Sequence, residues 1–103
     1  MKLARLSKRA QRDLNKIRKY IAEDDPIAAE RVRLAFLATA DLIAENPELG
    51  IRILNAGPRH ADVRWFVVPR FHNYLIFYRP FGDSIMVLRI LHAAQDWTRF
   101  FGK

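Results

Sequence analysis

A chain of 103 residues, half of them hydrophobic, is sized for one domain spanning residues 1–103 with a modest core. The absence of cysteine excludes a disulfide framework and thiolate chemistry, and no apolar run reaches the roughly 18 residues of a membrane span. The net charge of +7 lies in the first fifth of the chain: residues 1–21 hold eight bases and one acid, and the rest is balanced. That asymmetry predicts an acidic partner met through one end of the sequence.

Lys2–Leu6 reads as a short strand. Ser7 is a good helix N-cap, since its hydroxyl can accept an orphan backbone N–H. Ala10, Leu14, Ile17 and Ile21 then recur at steps of four, three and four, one buried helical face. Lys8, Arg12, Lys16 and Lys19 lie on the other face. Asp24-Asp25-Pro26 closes this helix and opens the next, with Asp25 as cap and Pro26 at the first helical position. Ala28, Val32, Ala35, Thr39 and Leu42 form its stripe, widened by Leu34, Phe36, Leu37 and Ile43, until Asn46-Pro47 stops it. So short a link makes the two helices an antiparallel hairpin.

Residues 47–62 read as loop. Three strands follow, rich in β-branched and aromatic residues: Val63–Val68, Asn73–Arg79 and Ser84–His92. Their links suit antiparallel hairpins. From about Gln95 to Phe101 a short helix or irregular tail docks Trp97, Phe100 and Phe101 on the sheet. The expected class is α+β, in the order β-α-α-β-β-β, a helical hairpin over an antiparallel sheet. The apolar residues exceed what so small a core needs, so some of Phe36, Trp65, Phe66, Phe71, Phe81, Phe100 and Phe101 are expected to stay partly exposed.

The basic start, MKLARLSKRAQR, is followed by no apolar stretch of signal-peptide type, and a reduced cytoplasmic location fits. His60, His72 and His92 show no ligand-like pairing, so no metal and no cofactor is expected. The basic helix face is either a solvated surface or a docking surface. Bases at a helix start and Glu23 and Asp24 at its end both oppose the helix dipole, by about 0.3–1 kcal/mol each. Stability alone would not select that order. No helix-turn-helix, zinc or ribbon motif points to sequence-specific DNA reading.

The stretches LSKRAQRDLNKIRKYIAEDDPIAAERV, ENPELG, VRWFVVPRFHNYLIFYR and IMVLRILHAAQDW, in this order, resemble the ParE branch of the RelE/ParE toxin superfamily and cover nearly the whole chain. The resemblance implies the toxin of a type II toxin–antitoxin pair, forming a hetero-oligomer with a ParD-like antitoxin that neutralises it. Operator binding in that family belongs to the antitoxin. ParE-like members act on DNA gyrase; RelE-like members cut mRNA on the ribosome. A third outcome is a non-toxic module that only binds the antitoxin.

The residues bear on that choice. RNA cleavage without metal needs a base, an acid and cations on the phosphate. Between Gly50 and His92 there is neither lysine nor glutamate, and arginine cannot act as a base. The candidates to move protons are His60, His72, His92, Asp62, Asp83, Tyr74 and Tyr78, and His92 is the residue expected to act if the chain is an RNase. Its other reading is a strand-end residue whose ring bonds a carbonyl or Asp96 and fixes the C-terminal turn. In an unbulged strand His92 shares a face with Met86, Leu88 and Ile90, opposite Arg89, so the two would meet only across a bulge. The expected reading is therefore binding without catalysis. Arg64, Arg70, Arg79, Arg89, Asp96 and Trp97 are expected on the target surface, and Lys8, Arg12, Lys16 and Lys19 against an acidic partner.

Overall fold

The computed structural model describes residues 3–102. A two-residue strand, β1 (Arg5–Leu6), leads into α1 (Lys8–Ala22). The strand expected over Lys2–Leu6 is thus shorter, and Lys2 lies outside the described residues. Ser7 caps α1 as its sequence position implies: its hydroxyl accepts the Ala10 N–H at 3.0 Å and donates to the Leu88 carbonyl at 2.9 Å. One side chain thereby both starts the helix and ties it to the sheet. Ala10 and Leu14 are buried, and Ile17 and Ile21 pack against the same core.

The second helix, α2 (Pro26–Glu45), begins where Asp25 accepts the N–H groups of Ile27 and Ala28, both at 3.1 Å. Pro26 has no N–H to satisfy at this position. The helix ends at Asn46. Its buried face is Ala29, Val32, Phe36, Thr39, Ala40, Ile43 and Ala44. This differs from the expected stripe: Leu34 and Leu42 face out. The helix is apolar nearly all round, so period alone does not choose a face, and the sheet chooses it.

The sheet has five strands, because the segment read as loop contributes β2 (Ile51–Arg52) beside β3 (Arg64–Val68), β4 (Phe71–Phe81) and β5 (Ser84–His92). The order is β1-β5-β4-β3-β2; β1 lies parallel to β5 and all other pairs are antiparallel. A two-residue turn, Gly82-Asp83, joins β4 to β5, and Gly82 has φ +60°, a conformation glycine adopts without steric cost. The expected α+β class, helical hairpin on a largely antiparallel sheet, holds.

Both sheet faces are covered. On one, the helices pack Phe36, Val32 and Ile43 against Tyr78, Ile76, Ile85, Val87 and Ile90. On the other, Ile53 and Val63 of the β2–β3 link and Phe101 of α3 (Thr98–Phe101) pack on Phe77 and Leu91. Trp65, Trp97 and Phe100 lie half-buried around this second cluster. Of the seven candidates for exposure, Phe36 and Phe101 are core, whereas Phe81 is 46% exposed. The large exposed apolar groups are instead Tyr20, Ile27, Leu34, Leu42, Leu49, Ile51 and Leu54, with Leu3 and Phe81.

Tyr78 fixes the crossing from helices to sheet. Its buried hydroxyl accepts the Gly50 N–H at 2.7 Å and donates to the Pro47 carbonyl at 2.8 Å. Burial pushes its ionisation up from the ordinary tyrosine range, which keeps the hydroxyl a donor. A Cβ on Gly50 would collide with that hydroxyl and stand 2.7 Å from Cε1.

Candidate functional site

The decisive local feature is an extra residue in β5. Phe77 pairs with Arg89 and Tyr78 with Val87, which leaves Leu88 unpaired. Such a bulge reverses side-chain parity. Ile85, Val87 and Ile90 consequently all face the helices, while Leu88 and Leu91 join the second cluster. The expected parity is corrected for Leu88, which parts from Ile90; Arg89 pairs with Phe77 of the second cluster and His92 with Tyr74 of the first, so these two leave opposite faces as expected. Arg89 and His92 line one cleft of about 290 Å³, together with Asp13, Lys16, Tyr20, Tyr74 and Gln95.

The bulge is held from α1. The Ser7 N–H donates to the Val87 carbonyl at 2.9 Å, beside the hydroxyl bond to Leu88. Farther along α1, Asp13 takes the Arg89 guanidinium bidentately, at 2.8 and 3.0 Å, and accepts the Ile90 N–H at 3.0 Å. Both partners are largely buried, at 17% and 13% side-chain exposure. The guanidinium also lies 4.4 Å from the Phe100 ring centroid. One ion pair therefore joins α1, β5 and the C-terminal segment.

His92 closes β5. Its ring meets Tyr74 edge to face at 5.3 Å, and Tyr74 leans on Phe36 at 5.6 Å. Its Nδ1 accepts the Ala94 N–H at 3.0 Å, and its own N–H donates to Gln95 Oε1 at 2.8 Å. The turn role expected for His92 is present, with a different partner: the ring bonds a backbone N–H, not a carbonyl or Asp96. Because Nδ1 is the acceptor, the neutral ring carries its proton on Nε2. Asp96 accepts the Thr98 N–H at 3.2 Å and the Thr98 hydroxyl, so it opens α3. Trp97 tilts against Phe77 at 6.2 Å.

The arginines expected on one target surface are dispersed. Arg64 pairs across the sheet with Tyr78 and donates to the Gly50 carbonyl at 2.8 Å. Arg79 forks onto Asp62 at 2.7 Å and bonds the Arg59 carbonyl. Arg70 sits in the β3–β4 turn at φ +70° and is exposed. Among the described residues it is the one of the four with no intramolecular polar partner. Lys8, Arg12, Lys16 and Lys19 are all exposed along α1.

The Asp62 carboxyl is held below the usual carboxylate range, chiefly by its hydrogen bond from Arg79. A depressed acid stabilises the fold above its unfolded value, about 3.9, and loses that contribution as pH falls through the lower folded value. The Asp62 side chain is 54% exposed, so the contribution stays under about 1 kcal/mol. Asp62→Asn should therefore be slightly less stable in urea melts at neutral pH. That deficit should shrink as pH falls below the unfolded value of about 3.9 and vanish once the folded carboxyl is protonated as well.

A model of the family described as the ParE toxin of the type II toxin–antitoxin system, parDE, matches residues 4–97. The chain belongs to the ParE toxin family. It is 31% identical over 96 residues to Toxin RelE3 of Caulobacter vibrioides, covering 92% of this chain and 98% of that one. It is 39% identical over 87 residues to Toxin RelE2 of the same organism, covering 84% and 90%. The fold matches a chain of the chromosomal ParDE system from P. aeruginosa with a TM-score of 0.70, at 21% identity and over 89% and 96% of the two chains. This ParE-family chain is thus a type II toxin of the ParE/RelE superfamily, one half of a toxin–antitoxin pair. Among its described residues no helix is long and apolar enough to cross a membrane.

What the sequence reading missed at this site is Asp13. It was visible as the single acid in a run of eight bases, an isolated charge on an otherwise basic helix.

Proposed function

We propose that this toxin arrests DNA gyrase by binding it, without catalysis, and is neutralised by a ParD-like antitoxin. The observation that carries this reading is the occupied state of the groups that would move protons. His92 Nδ1 holds the Ala94 N–H, and carrying a proton there would break that bond. Asp13 is spent on Arg89 and Ile90. Tyr78 is buried between Pro47 and Gly50. The target surface we assign is the end of the sheet where β4 begins and β5 finishes. It carries Arg70 and, through the bond from the Ala93 N–H to the Asn73 carbonyl, the segment with Asp96 and Trp97. Arg64 and Arg79 lie toward the other end of β3 and β4, and Arg89 three residues before His92; all three are already bonded within the fold.

Purified toxin should block gyrase supercoiling or trap cleaved DNA, and Arg70→Ala should weaken this several-fold. No effect of the unmodified toxin at large molar excess would sink the reading. One observation favours a second reading, an mRNA endonuclease: Lys16, Tyr20, Tyr74, Arg89 and His92 line one cleft. Primer extension on translated mRNA separates the two, since cuts lost in His92→Ala would establish the enzyme.

The exposed face of α1 is assigned to an acidic partner. Arg12→Ala with Lys16→Ala should slow antitoxin or gyrase association about tenfold at low salt, while leaving thermal stability within a degree or two. Unchanged association rates would make Lys8, Arg12, Lys16 and Lys19 a solvated face.

A further inference from the structure

A second cleft, of about 410 Å³, opens on the other side of Arg89. Its walls are Lys8 and Arg9 from the start of α1, Arg99 from α3, and His60 from the β2–β3 link; Leu88, Phe100 and Phe101 lie beneath them. Among the described residues no carboxylate lines it. Lys8, Arg9 and Arg99 are exposed, and among the described residues none of them has an ion-pair partner. Arg89 differs, being neutralised by Asp13 and laid on Phe100. The cleft therefore combines three uncompensated cations with a partly exposed aromatic ring.

Concentrating like charge at one place costs stability and gains nothing within the fold. Lys8 and Arg9 occupy the first turn of α1, which has no acid. Bases there oppose the helix dipole. A carboxylate-bearing peptide would satisfy the cations and leave the aromatic floor unused. A nucleotide unit uses both, with its phosphodiester on the cations and its base against the ring of Phe100. The volume falls within the range of small-ligand sites.

We propose that this cleft binds one nucleotide unit of a single-stranded nucleic acid, without sequence preference. The toxin would then touch nucleic acid directly as well as its protein partners. This goes beyond the gyrase reading and does not depend on it, because it is tested with no gyrase present.

The test titrates the full-length toxin into short fluorescein-labelled single strands of deoxythymidine and of uridine, followed by anisotropy at low salt. Saturable binding is expected, with a Kd between roughly 1 and 100 µM and a log–log salt slope of about −0.7, that of the one phosphate held in the cleft. Arg9→Glu with Arg99→Glu should weaken binding at least about tenfold and flatten the slope. Arg31→Glu with Arg52→Glu, an equal charge change at exposed positions outside the cleft, should stay within about twofold. Phe100→Leu, which keeps apolar bulk but removes the stacking face, should cost about fivefold. Preference for one strand identifies DNA or RNA as the source. Equal losses in the two charge-reversed pairs would overturn the proposal, showing diffuse attraction. So would the absence of saturable binding, or equally tight binding of a labelled polyglutamate peptide. Matching melting temperatures for the variants exclude unfolding as the cause.

Discussion

Replacing Asp13 by alanine should lower the folding stability by about 3 kcal/mol, the lower end of the cost of breaking a buried ion pair. The reasoning starts from what is left behind. Arg89 keeps its charge but loses both carboxylate oxygens, and the Ile90 N–H loses its acceptor at the bulge. The pair retains some exposure, which is why the higher end is not expected. For a domain of this size the loss corresponds to roughly 15 °C in Tm. Asp13→Asn should recover part of it, because an amide oxygen can still accept from Ile90. Arg89→Met should cost a comparable amount, since it strands the Asp13 carboxylate with only the Ile90 N–H. The double variant should be no worse than Asp13→Ala, a non-additivity that a double-mutant cycle reads directly. A loss under about 1 kcal/mol for Asp13→Ala would show that the bulge is held by Ser7 alone.

Much of the fold was legible because its signals are local. Ser7, Asp25-Pro26 and Asn46-Pro47 act on the few residues beside them, so the helix ends follow from the sequence. Pro69-Arg70 and Gly82-Asp83 mark two hairpin turns for the same reason. The strand Ser84–His92 is found where alternating β-branched and long apolar residues place it. The features that escaped are set by distant groups. Ile51 and Arg52 become a strand by pairing with Trp65 and Arg64. The outward face of α2 is decided by which side the sheet covers.

The bulge is the clearest case. In IMVLRILH apolar residues stand at both parities, so the pattern reads equally well with or without an extra residue. What fixes it is Ser7 and Asp13, more than seventy residues earlier in the chain. The same distance hides the internal partners of the arginines. Arg79 reads as an available cation until Asp62 is placed beside it, and Arg89 until Asp13 is. The composition places the unbalanced charge in residues 1–21, most of it on α1. It could not show that the charge borders two clefts, with Arg89 as the wall between them.

Phe77 is where fold and proposed function meet, and Phe77→Ala should be the most damaging single truncation, at about 3–5 kcal/mol. Its ring is fully buried, stacked on Phe101 at 4.8 Å and tilted against Trp97 at 6.2 Å. It is thus the surface on which α3 rests. The lost volume cannot be refilled from the opposite face, because β4 itself separates Phe77 from the helices. α3 has four residues, too few to persist as a helix without that support. Its release would also free Phe100 from Arg89 and open the second cleft. In urea melts the variant should lose a large share of its stability. Below its unfolding midpoint, tryptophan emission should already shift to the red as Trp97 becomes hydrated. If the C-terminal segment belongs to the target surface, inhibition of gyrase should fall at concentrations where the variant remains folded. Antitoxin association through α1 should change far less. Equal loss of both activities would place the damage in the whole fold and remove the segment from the target surface.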